Sequence, residues 1–209
     1  MKQDFAALPF IRPCLPKLRP VPPYGAQWIH EVKFDGWRLQ LHKLGDEVRL
    51  YSKNGYDVTD RFRAIAEAGT TLRCKSAILD GELEATDLKG RADFAALHRP
   101  RPSRRTLTLW VFDLLHLDGE DLRSLALEER RQKLTNLMKR TQQPLRLSES
   151  FDDPDKLLRA AIELGLEGIV SKRRGRPYHS GPSVDWLKIK NPAWRQANRE
   201  RFKLFTKEL

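Results

Sequence analysis

The sequence predicts an α+β fold with two mostly antiparallel β-sheets flanked by helices. Short apolar or alternating runs recur at 28–33, 38–43, 47–52, 77–85, 106–115, 168–172 and 184–190. Turn residues such as Gly45-Asp46 and Asn54-Gly55 separate neighbouring runs, which suits hairpins rather than long crossovers. Helical spacing of apolar residues is confined to a few segments, chiefly 127–139 and 154–163.

Taken in order, residues 1–25 hold Pro9, Pro13, Pro16, Pro20, Pro22 and Pro23. So many prolines exclude a long helix or a central strand, and an extended arm packing Phe10, Ile11 and Leu15 is expected. Strands follow at 28–33, 38–43 and 47–52. A strand around Asp80-Gly81-Glu82, a short helix at 92–97 and an Arg/Pro/Ser loop at 99–105 come next. The apolar run 106–115 carries Phe112-Asp113 at its end. The helix at 127–139 rests on Leu127, Leu134, Leu137 and Met138. For 154–163, Asp152 or Asp153 offers an acidic N-cap and Gly165 a stop. Strands at 168–172 and 184–190 precede a basic tail at 192–209, expected to be helical.

With 209 residues, 40% of them hydrophobic and 32% charged, the chain can bury a core and has no stretch long enough to span a bilayer. Its N-terminus lacks the apolar core of an export signal. Cys14 and Cys74 are far apart and have no partner histidine spacing, so neither a disulfide framework nor a zinc site follows. A reduced, cytoplasmic setting is expected. The formal net charge of +11 points to a phosphate-rich partner, with basic clusters at 99–105, 172–176 and 195–207.

The densest chemistry lies in Lys33-Phe34-Asp35-Gly36-Trp37-Arg38. Lys-x-Asp-Gly-x-Arg supplies an amine nucleophile, a nearby acid, a glycine for close backbone approach and a second cation, as covalent catalysis through a lysyl phosphoramidate requires. A surface ion pair is the ordinary alternative. Gly81, between Asp80 and Glu82, would let a ligand come close. Phe112-Asp113 would place a ring and a carboxylate at the rim of a cleft. Alternation along 167–172 would turn Glu167, Ile169 and Ser171 to one side, and Gly168, Val170 and Lys172 to the other. Lys188 and Lys190 point the same way and call for an anion between them. Singly, these fit ordinary readings too: strand-end charges, a core phenylalanine, a solvated lysine face.

In this order the segments resemble the covalent nucleotidyltransferases: ATP-dependent DNA ligases, RNA ligases and mRNA capping enzymes. Lys33 to Arg38 is similar to the family's first motif, Ser52-Lys53-Asn54-Gly55 to its Ser-Arg-Asn-Gly element, and Asp80-Gly81-Glu82, Phe112-Asp113, Glu167 to Lys172 and Trp186 to Lys190 to the later ones. The stretch from Glu31 to Gln40, Phe10-Ile11-x-Pro13 and Asn198-Arg199-Glu200-Arg201 resemble bacterial end-joining ligases most. The resemblance implies an ATP-grasp-like adenylation domain at 26–191, between the arm at 1–25 and the tail. It implies Lys33 as the residue that takes AMP from ATP, and Glu31 on the adenine amino group. Arg38 and Lys53 would contact ribose or the nick phosphate, and Phe112 would stack on adenine. Glu82 would bind ribose or metal, Glu167 the catalytic Mg²⁺ (or Mn²⁺). Lys188 and Lys190 would grip the ATP phosphates, with Lys188 favouring the unprotonated Lys33.

Two positions depart from the family pattern. Lys53 stands where Arg is usual, which keeps the charge and loses the bidentate fork, and Pro182 stands where a basic residue is common. Only 19 residues follow Lys190, too few for the oligonucleotide-binding (OB-fold) barrel of family ligases, so a minimal form, a fragment or a subunit borrowing a partner's barrel are all open. The expected activity is sealing of 5′-phosphate/3′-hydroxyl nicks in double-stranded DNA during repair, by a monomer, with an end-joining or barrel-bearing partner protein possible. The alternatives are a non-catalytic DNA-end-binding remnant and an RNA ligase or capping-type nucleotidyltransferase.

Overall fold

The computed structural model describes residues 8–87, 92–97 and 107–197. The basic loop expected at 99–105 and the tail beyond 197, with its Asn198 to Arg201 run, lie outside the described residues. In chain order the strands are β1 (Cys14–Leu18), β2 (Trp28–Val32), β3 (Trp37–Leu44), β4 (Glu47–Ser52) and β5 (Ser76–Ala85), then β6 (Leu107–Leu117), β7 (Glu120–Asp121), β8 (Leu145–Leu147), β9 (Gly168–Arg173) and β10 (Gly181–Lys190). The helices are α1 (Arg63–Thr70), α2 (Phe94–Leu97), α3 (Leu127–Met138), α4 (Pro154–Glu163) and α5 (Pro192–Ala197).

These elements form two compact units, each assembled from three separate stretches of chain. The larger draws on Met1–Leu15, Asp35–Ser148 and Arg174–Pro182. Its six-stranded sheet runs β4-β3-β5-β6-β7, antiparallel throughout, with β8 added parallel to β6. Period-two alternation turns Leu39, Leu41, Leu79, Leu83, Leu109 and Val111 to one face, where they pack with Ile65 of α1 and Leu134 of α3. Gly81 lies on this core face. A Cβ there would stand 2.8 Å from the Trp110 carbonyl oxygen, so the glycine serves close strand packing rather than ligand approach, correcting the sequence reading.

The smaller unit draws on Pro16–Phe34, Glu149–Arg173 and Ser183–Leu209. It holds most of the four-stranded sheet β1-β10-β9-β2. Within the arm expected at 1–25, residues 14–18 form a strand, and its position at the sheet edge explains why Pro16 is tolerated. Helix α4 begins as its sequence implies. The Asp153 carboxylate accepts from the Lys156 backbone N–H at 2.9 Å, and Pro154 occupies the first turn. Its Leu157 and Ala161 pack on Ile169, Leu187 and Ile189, covering one face of the sheet.

Candidate active site

The face of the smaller sheet opposite α4 is organised in rows by strand register. Ile29 pairs with Lys172 and Lys172 with Trp186; Glu31 pairs with Val170 and Val170 with Lys188. One step further, the Lys33 N–H donates to the Gly168 carbonyl at 2.9 Å, and Gly168 pairs with Lys190. Glu31, Lys33, Lys172, Lys188 and Lys190 therefore share one face, opposite Ile169, Leu187 and Ile189. The middle of the third row must be glycine. Its φ is +143°, and a Cβ would lie 2.0 Å from the Ile189 carbonyl oxygen.

Glu167 does not follow the alternation expected for 167–172. It precedes the first residue of β9, and its carboxylate turns to the lysine face. There Oε2 accepts from Lys33 Nζ at 2.5 Å and Oε1 meets Lys190 Nζ at 3.0 Å. The anion that the paired lysines Lys188 and Lys190 called for is, at Lys190, this side chain. Glu31 and Lys172 form a second pair, with Nζ 2.8 Å from Oε1 and both side chains 2% exposed. The Lys172 ammonium also stands 4.2 Å from the centre of the Trp186 ring. Lys172 is consequently not part of a solvated basic cluster at 172–176.

The other expected site residues belong to the larger unit. Arg38, Glu82 and Trp110 form one cross-strand row, and Gln40, Asp80 and Asp113 the next. The Arg38 guanidinium donates to both Asp80 oxygens, from Nε at 2.6 Å and Nη2 at 2.7 Å. Asp80 also accepts from the Tyr178 hydroxyl at 2.7 Å, and that hydroxyl accepts from the Cys14 N–H at 2.8 Å. Burial and the Asp80 charge push the Tyr178 phenol far above its usual range, so it stays a donor.

Phe112-Asp113 does not end its strand as expected. β6 continues past Asp113 to Leu117, and a register shift between the pairs Gly81–Val111 and Asp80–Asp113 leaves Phe112 as the extra residue of a bulge. Arg38 lies over the Phe112 ring, 4.3 Å from its centre. Asp113 is not at a cleft rim but fully buried, forked to Arg130 at 2.8 and 2.9 Å. Lys53 sits exposed on the turn after β4. Glu82 and Glu167 fall in different units, and among the described residues no group of three or more His, Cys, Asp or Glu could hold a metal. Asp80, Tyr178 and Lys172 are the site-forming residues that sequence reasoning missed. Asp80 and Lys172 stood inside the recognised motifs, but their partners are set by strand pairing over long sequence separations.

The family model described as the ATP dependent DNA ligase domain matches residues 21–190. The multifunctional non-homologous end joining protein LigD of Pseudomonas aeruginosa is 42% identical over 185 residues, 87% of this chain and 22% of that protein. A probable DNA ligase of Beutenbergia cavernae is 37% identical over 172 residues, 77% of this chain and 33% of that protein. A solved mycobacterial DNA ligase D complexed with ATP and MES superposes with a TM-score of 0.75 at 30% identity, covering 86% of this chain and 60% of that one. The chain thus spans a fifth to a third of these curated relatives. Matched by the family model over most of its length, the chain belongs to the ATP dependent DNA ligase domain family.

Proposed function

We propose that this chain is the adenylation domain of an ATP-dependent DNA ligase, with 26–191 as the domain proper and Lys33 as its nucleophile. The observation that carries this is the clamp of Lys33, Glu167 and Lys190 on one sheet face. Lys33 Nζ attacks the α-phosphorus of ATP. A P–N bond forms, the bond to the bridging oxygen breaks, and pyrophosphate leaves. The ammonium must first shed a proton, and Glu167 Oε2 at 2.5 Å is the acceptor in hand. Lys190, released from Glu167, is then a cation for the phosphates, alongside Lys188 on the same face. Phosphoryl transfer asks for this kind of alignment and charge more than for acid–base chemistry.

Mg²⁺ uses few protein carboxylates and completes its shell with substrate phosphates and water. Glu167, whose two oxygens each meet an ammonium, would suit a cation once the Lys33 proton has passed from it to solvent, and Glu82 is the second candidate. The ion supplies charge neutralisation at the transferred phosphate. Glu31 would read the adenine amino group, Phe112 would stack on the base, and Arg38 and Lys53 would hold ribose or nick phosphate. The net charge of +11 supports a duplex DNA substrate, to whose 5′-phosphate AMP passes before the 3′-hydroxyl seals the nick. The name of the P. aeruginosa relative and the ATP bound in the mycobacterial structure support the same reading.

Incubation with labelled ATP and Mg²⁺, followed by denaturing analysis, tests it. The expected product is an acid-labile, alkali-stable adduct. Lys33→Ala should abolish it and leave the fold intact, because the side chain is 22% exposed and outside the apolar cores. An adduct of unchanged yield on Lys33→Ala would refute the assignment.

A further inference from the structure

Asn191 is buried and takes no part in the chemistry above. It follows Lys190 directly, where the ladder between β9 and β10 ends at the pair Gly168–Lys190. Beyond that pair the contact continues through Asn191 alone. Its N–H donates to the Glu167 carbonyl at 2.9 Å, and its side-chain Nδ2 donates to the Leu166 carbonyl at 3.1 Å. Its Oδ1 accepts from the Ala193 N–H at 3.0 Å, which caps α5. These partners fix the orientation of the amide, since a carbonyl only accepts and an N–H only donates. One side chain thus ties the loop before β9 to the start of α5.

The residue restrained by this tie is Glu167. The loop from α4 to β9 turns through Gly165, at φ +66°, and its Leu164 is exposed. A solvent-facing turn of this kind leaves the residue after it poorly fixed. Glu167 nevertheless meets two ammonium groups, Lys33 and Lys190, with one oxygen each. On the β2 side the Gly168 carbonyl accepts from the Lys33 N–H, and on the β10 side Asn191 occupies the carbonyls of Glu167 and Leu166. The helix that Asn191 caps also carries Trp194, whose ring centre is 5.9 Å from the Lys190 ammonium.

We propose that Asn191 is a positioning residue for adenylation: through its bond to the Leu166 carbonyl it holds the Glu167 carboxylate against Lys33 and Lys190. This rests on the reading that Glu167 accepts the Lys33 proton. A misplacement of about 1 Å can cost on the order of a hundredfold in rate, so a brace on the acceptor governs turnover without touching the nucleotide.

The experiment compares self-adenylation rates and KM for ATP in the intact chain, Asn191→Ser and Asn191→Asp, with urea midpoints giving the folded fraction. Asn, Ser and Asp are of similar rank as helix caps, so a residue that only caps α5 predicts three equal rates per folded chain. The brace predicts an order. The Asn191→Ser hydroxyl can cap but is too short to serve Leu166 as well, and should slow labelling at saturating ATP by roughly tenfold. Asn191→Asp turns an oxygen on the Leu166 carbonyl, repels it, and should be slower still. KM should move by less than about twofold, because the lost interaction is with the acceptor rather than the nucleotide. If Asn191→Asp does not fold, the Asn191→Ser rate decides. Equal rates in wild type and variants, or a change confined to KM, overturn the inference and leave the adenylation reading standing. A wild type that forms no adduct overturns both.

Discussion

At the scale of residues, the larger unit shows how a cation can be made immobile. Arg38 is gripped at two nitrogens by Asp80, Asp80 by the Tyr178 hydroxyl, and that hydroxyl by the Cys14 N–H. Every link is buried or nearly so, and each donor has an acceptor. Burial opposes the Arg38 charge, and the Asp80 carboxylate more than compensates, so the guanidinium is charged at any working pH. Tyr178→Phe removes the hydroxyl that accepts from the Cys14 N–H and one of the two donors to Asp80 Oδ2, which keeps Arg38 Nη2. Losing these two buried hydrogen bonds, one of them to a charged group, costs about 1–3 kcal/mol, so urea unfolding should show a loss of that order. An unchanged midpoint would mean that the hydroxyl contributes nothing to the anchoring.

Elements carry a different lesson, because regular strands were legible in the chain and their irregularities were not. The bounds of β4 and α4 follow from local signals, the alternation of 47–52 and the cap at Asp153. Period two alone puts Glu31 with Lys33 and Lys188 with Lys190; that the two pairs share one face is set by the register through β9. Helix α1 went unread because Phe62, at its N-cap, makes no side-chain capping bond and its first turn has no acid. β8 has three residues and exists through its pairing with β6, which no local pattern announces. The bulge at Phe112 and the pairing of Lys172 with Glu31 likewise depend on register between distant segments. Gly168 concentrates this dependence in one position. With φ at +143° and the Ile189 carbonyl 2.0 Å from where a Cβ would be, Gly168→Ala must push β10 from β9. Strain and overpacking together should cost about 3 kcal/mol or more, and should lower adduct yield by parting Lys190 from Lys33. A variant with wild-type stability and labelling would show that the sheet yields there at no expense.

For the molecule as a whole, charge is the plainest property. A net +11 and no base-reading module in the sequence predict DNA binding through phosphates and without sequence preference. A protein making about six phosphate contacts loses roughly a thousandfold in affinity between about 50 and 200 mM salt. Affinity for a nicked duplex over that range should fall at least as steeply; a flat response, or strong preference for one sequence, would exclude this mode of binding. Among the described residues, no helix is long and apolar enough to cross a membrane. The interleaving of the two units has a consequence for how the protein is made. β3 to β8 of the larger sheet are all in hand once Leu147 has left the ribosome, whereas β2 waits for β9 and β10, which end at Lys190. Lys33 and Glu167 are 134 positions apart. The nascent chain therefore holds Lys33, the proposed nucleophile, without Glu167 and Lys190 until roughly 40 residues, or about 2–8 s of translation, after the larger sheet can pair, so that the lysine clamp is assembled later than the larger sheet.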